Sequence, residues 1–213
     1  MALIGTFFHG PVRNVPIGSV LFRQAIQHHC YILMVSPTPA HLSASRDKVA
    51  HTVNKIIRLT PHFAVTGALQ PEDFAEVAKQ GFKSILSNLP DGESARHPSS
   101  AEERELAANA GLGFRHVPAV KADVLSDRVV DGVIKALSEL DGPVLAHCAS
   151  GLRSAVAWAG AASRTEPVDE VLATLEKASF NLAALRDELE DQVGRAHPNA
   201  TPLALRVSGE KGA

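Results

Sequence analysis

From Lys55 to about Val193 short β-like runs alternate with helical ones, and this alternation limits the possible folds more than any other feature of the chain. The β-like runs are Lys55 to Leu59, His62 to Thr66, Phe82 to Ser87, Phe114 to Val117 and Val144 to Ala146. Between them, Gln70 to Gly81 has Pro71 at a first helical position, acids in its first turn and a glycine just past its end. Ser100 and Glu103 offer a capping box for a helix that stops at Gly111. Ser126 can cap a helix from Asp127 to Leu140, along which Val129, Val130, Val133, Ile134 and Leu137 recur at helical spacing until Asp141-Gly142 breaks it. Further helices are expected from Arg153, from Val168 to Ala178 and from Asn181 to Val193. Strands alternating with helices imply right-handed crossovers, hence an α/β fold with a mainly parallel central sheet flanked by helices. In such sheets ligands bind beyond the carboxyl ends of the strands.

One ordinary domain fits the 213 residues, with 54–194 as its body. Residues 1–53 lack this regularity and form an N-terminal extension of unknown role, within which Met34 is a possible alternative start. The extension has neither the unbroken apolar length of a membrane span nor the layout of a signal peptide. His28-His29-Cys30 matches no metal-ligand spacing, so no metal and no cofactor are expected. Residues 195–213, with Pro198 and Pro202, read as a flexible tail. A composition of 45% apolar and 21% charged residues with a net charge of −2 suits a soluble globular protein and provides no positive field for nucleic acid or membrane. Only Cys30 and Cys148 occur, far apart, which argues for a reducing, cytoplasmic location.

Chemistry concentrates between residues 143 and 154, Pro-Val-Leu-Ala-His-Cys-Ala-Ser-Gly-Leu-Arg-Ser. A buried strand runs into a cysteine, a tight turn at Gly151 and a helix opened by Arg153. Cys148 then sits where loop N–H groups and a helix N-terminus converge, and these dipoles, with Arg153, favour a thiolate over a thiol. Ala149, Ser150, Gly151, Leu152, Arg153 and Ser154 form an anion-binding loop that gathers nucleophile and electrophile together. A buried core thiol would explain neither the glycine nor the arginine.

The stretch from about Ile56 to Ala178 resembles the phosphatase-like domain of the beta-lactamase-hydrolase-like family, bacterial relatives of dual-specificity protein phosphatases. The resemblance is carried by Leu-Thr-Pro-His-Phe-Ala-Val-Thr-Gly-Ala-Leu at 59–69, Gly-Phe-Lys-Ser-Ile-Leu-Ser-Asn at 81–88, Pro-Asp-Gly-Glu at 90–93, Pro-Ser-Ser at 98–100, His-Val-Pro at 116–118 and the Cys148 loop. It implies a dual-specificity-phosphatase-like fold and a cysteine nucleophile. Family members usually carry arginines where this chain has Leu89 and Ala149, so a weaker pull on highly charged substrates is expected.

The chemistry stays open between sulfur and phosphorus. Phosphatases of this architecture place five residues between cysteine and arginine, whereas four intervene here, as in many single-domain rhodaneses. A tighter ring suits a persulfide and a small oxyanion, which favours sulfur transfer through Cys148 over a Cys148 phosphoenzyme. The expected substrate is a small anion, either thiosulfate, a persulfide or a phosphoester, and a sulfur-metabolism protein is the expected partner. A non-catalytic anion or persulfide binding module is the remaining reading. Phosphoester cleavage needs an acid for the leaving oxygen; Asp123 is the candidate, with Asp91 behind it as a turn residue. His147 points to the opposite face of the strand from its neighbours and is expected to support the loop, while Ser154 can donate to the thiolate or cap the helix.

Overall fold

The computed structural model describes residues 54–195 and 201–207. The extension, with Met34 and the His28-His29-Cys30 cluster, lies outside them. Five short strands, β1 (Ile57–Thr60), β2 (Phe63–Thr66), β3 (Ser84–Ser87), β4 (Gly113–His116) and β5 (Val144–His147), form one sheet in the order β1-β2-β5-β3-β4. β1 and β2 pair antiparallel as a hairpin, and all other pairings are parallel. β5 is therefore central, and the cysteine loop leaves from the middle of the sheet's carboxyl edge.

Helices α1 (Asp73–Lys79), α2 (Ser100–Asn109) and α3 (Asp127–Glu139) make the crossovers, and α4 (Leu152–Ala162), α5 (Val168–Lys177) and α6 (Arg186–Glu190) follow β5. The period of two along the strands sorts the core into two layers. Val65, Leu86, Val144 and Ala146 pack with Val130, Val133, Ala155 and Trp158 on the side of α3 and α4. Ala64, Ile85 and Leu145 pack with Phe74, Val77 and Ala107 on the side of α1 and α2. Both sheet faces are covered, as parallel strands require. Arg164, buried just after α4, ties α3 to the C-terminal elements through Asp131, Asp127 (2.9 Å) and Gln192 (3.2 Å).

Several local expectations are corrected. The capping box sits one residue earlier than expected: Ser99 and Glu102 form it, because Ser100 donates its N–H and hydroxyl to Asp91 at 2.6 and 2.7 Å and Glu103 turns inward. Ser126 occupies the position before α3, but its hydroxyl makes no capping hydrogen bond. The segment Asn181 to Val193 is not one amphipathic helix; a 3₁₀ turn at Ala183–Leu185 precedes the five-residue α6, whose Leu189 is buried.

Part of the expected flexible tail is packed. Ala204 and Leu205 are buried, and the Ala204 carbonyl accepts the Trp158 indole N–H at 2.8 Å. A buried indole needs such an acceptor, and residues 201–207 supply it. Removing residues 196–213 is expected to destabilise the protein by about 2–4 kcal/mol, from lost apolar burial and the orphaned indole, as a lower urea midpoint would show.

Candidate functional site

β5 delivers Cys148, buried, into a loop that turns at Gly151. Gly151 has φ +89°, and a Cβ there would lie 3.2 Å from the Thr66 carbonyl oxygen, so the turn needs glycine both for its backbone angle and for its contact with β2. The Gly151 N–H donates to Cys148 Sγ at 3.2 Å. This directs a backbone dipole at the sulfur from the N-terminus of α4. The Ala149 carbonyl accepts the Ala68 N–H at 3.4 Å, which fastens the loop to the end of β2. Ala149, Ser150 and Leu152 face solvent, whereas the Ser154 hydroxyl is buried with no hydrogen-bond partner among the described residues.

Arg153 is held from across the site. Its Nη1 donates to Glu93 Oε2 at 2.7 Å and to the Ala119 carbonyl at 2.7 Å, and its Nη2 donates to Glu93 Oε1 at 2.5 Å. These bonds use three of the five guanidinium hydrogens and leave the Nε–H and one Nη2–H on a single edge, the pair that matches two oxygens of an oxyanion. Burial lowers the arginine's proton affinity, but hydrogen bonding to Glu93 and the charges of Cys148 and Glu93 outweigh it and leave the pKa above its ordinary value. The guanidinium and the sulfur are thus electrostatic neighbours. Glu93 lies in the Pro-Asp-Gly-Glu stretch that carries the family resemblance, but nothing local in the sequence pairs it with a residue sixty positions on.

The other candidates divide. Asp123 accepts from Arg128 Nη2 at 2.5 Å and from the Val120 N–H at 3.1 Å. The Arg128 hydrogen bond holds its carboxyl below the ordinary range. Releasing a proton is thereby favoured over holding one, which works against the general-acid role expected of it. Asp91 is likewise held low by Ser100, and it anchors α2. His147 is buried and on the sheet face covered by α2, where its Nε2 lies 3.3 Å from Glu103 Oε1. Among the described residues no group of three potential ligands could hold a metal ion, and no helix is long and apolar enough to cross a membrane.

Glu93→Ala removes two of the three anchors of the guanidinium and is expected to weaken binding of a small oxyanion such as inorganic phosphate about tenfold, measured by calorimetric titration of the folded variant.

A mainly parallel α/β sheet with a cysteine-to-arginine loop at its central carboxyl edge is the architecture of the phosphatase-like α/β class. The chain belongs to the family described as beta-lactamase hydrolase-like protein, phosphatase-like domain, whose model matches residues 55–164. It is 31% identical over 100 residues to a beta-lactamase hydrolase-like protein of Agrobacterium fabrum, a match covering 47% of this chain and 23% of that one. A Xylella fastidiosa relative of the same description is 30% identical over 105 residues, covering 49% of this chain and 24% of the relative. The matched part is thus about a quarter of the curated relatives' length. Among solved structures, a candidate phosphatase from Neisseria meningitidis Z2491 superposes with a TM-score of 0.56 at 29% identity, covering 64% of this chain and 97% of that one. One from Shewanella putrefaciens CN-32 superposes at 0.50 with 19% identity, covering 67% and 95%, and shares the fold.

Proposed function

We propose that the chain hydrolyses small phosphomonoesters through Cys148. The observation that carries this reading is that Cys148 accepts the Gly151 N–H in a loop that also carries Arg153, whose guanidinium has two N–H groups beyond those bound to Glu93 and Ala119. In the first step the thiolate sulfur attacks phosphorus, an S–P bond forms, and the ester oxygen leaves with the electron pair of the broken P–O bond. Water then attacks phosphorus, releasing inorganic phosphate and restoring the thiolate while its surplus proton passes to solvent. Loop N–H groups and Arg153 stabilise the oxygens throughout.

With Asp123 engaged by Arg128, leaving groups that depart without a proton are favoured, so aryl phosphates should react faster than alkyl ones. Leu89 and Ala149 supply no charge to the site, which suits substrates of modest charge. The phosphatase-like relatives favour this chemistry over sulfur transfer. A second reading, transfer of sulfane sulfur from thiosulfate through a Cys148 persulfide to a thiol of a partner protein, rests on the four-residue spacing between Cys148 and Arg153 and on sulfite leaving without an acid. One preparation assayed with an aryl phosphate and, separately, with thiosulfate plus cyanide separates the two. Turnover of the first alone supports hydrolysis, turnover of the second alone replaces it with sulfur transfer, and turnover of neither favours a binding module.

A further inference from the structure

The proposed reaction leaves unused a buried histidine–carboxylate contact on the strand that leads into the Cys148 loop. Leu145 on β5 and Ala107 on α2 belong to the same buried apolar cluster. Two residues further along the same strand face, His147 meets the carboxylate of Glu103, one helical turn earlier on α2. Both side chains are almost fully buried, at 0% and 2% exposure. Their 3.3 Å contact is not aligned as a hydrogen bond, and His147 Nδ1, Glu103 Oε2 and Ser87 Oγ have no hydrogen-bond partner among the described residues. Burying a carboxylate is unfavourable unless it is paired, so the pair constrains where both groups can sit.

The same helix also holds the other half of the site. At its N-terminus Ser100 is gripped by Asp91, two residues before Glu93, and Glu93 grips Arg153. The His147 carbonyl accepts the Asn88 N–H at 2.8 Å, so the start of the cysteine loop is also joined to the segment that carries Asp91 and Glu93.

We propose that Glu103 is a positioning residue which, acting through His147, fixes the entry of the Cys148 loop, so that α2 holds nucleophile and arginine in one register. The proposal rests on the reading of Cys148 as the nucleophile. It is tested on the full chain with Glu103→Gln and Glu103→Met, each checked for folding by circular dichroism. The readouts are kcat and KM for an aryl phosphate and the rate of Cys148 alkylation by iodoacetate, followed on the Cys148 peptide so that Cys30 does not contribute. Glu103→Met should lower kcat about tenfold or more with KM little changed, and slow alkylation in parallel, because nucleophile placement and not oxyanion binding is lost. Glu103→Gln, which keeps an acceptor for the ring but not the charge, should fall about threefold in both. Wild-type alkylation and kcat in Glu103→Gln overturn the proposal, even where Glu103→Met fails to fold. If the wild type turns over no aryl phosphate yet alkylation falls in the order Glu, Gln, Met, the hydrolase reading is lost and the positioning role is supported.

Discussion

Cys148→Ser is expected to abolish the proposed aryl phosphate turnover, a loss of at least about 10⁴-fold in kcat, with the fold unchanged. The size follows from the place of the sulfur. Cys148 Sγ receives the Gly151 N–H at the start of the helix that carries Arg153, which is where the proposed mechanism places the attacking atom. A serine hydroxyl in the same position would need a base to become a nucleophile, and His147 points away, towards Glu103 on α2. Steady-state kinetics with a thermal melt on the same samples checks both halves of the prediction. A folded serine variant that retains activity would place the chemistry elsewhere.

Arg153→Lys should cost about 10²–10³-fold in kcat/KM even though the charge is kept. Arg153 serves three acceptors at once, the two oxygens of Glu93 and the Ala119 carbonyl, and still presents two N–H groups on one edge. An ammonium group has three donors and no fixed plane, so it cannot satisfy Glu93 and Ala119 and also bind two oxygens of a substrate. Inhibition by inorganic phosphate should weaken in the same variant. Equal activity of lysine and arginine would mean that charge alone matters and that the fork geometry has no role.

What could be read from the sequence was what neighbouring residues decide. The amphipathic spacing of Val129, Val130, Val133, Ile134 and Leu137 marked α3, and all five are buried. Gly81 and Gly111 marked helix ends, and both have positive φ, at +88° and +72°. The strand, turn and helix around Cys148 were legible because a short apolar run, a glycine and a helical run follow directly on one another. The capping box missed by one residue because Ser99-Ser100 and Glu102-Glu103 satisfy the same pattern twice, and only the distant Asp91 decides between them. Contacts made across the fold had no local signal: Glu93 with Arg153, Glu103 with His147, and Trp158 with the Ala204 carbonyl. The position of Asp123 in the chain marks it as an acid candidate, while its surroundings are set by Arg128, five residues further on, whose hydrogen bond lowers its carboxyl pKa.

In the proposed hydrolysis Cys148 carries the transferred group, and that group is phosphoryl. Rapid quenching of the enzyme during aryl phosphate turnover, followed by peptide mass analysis, tests it most directly. One phosphoryl group on the Cys148 peptide, absent in Cys148→Ser, is the result expected here. No phosphorylated peptide, together with one added sulfur atom on Cys148 after exposure to thiosulfate, would contradict it.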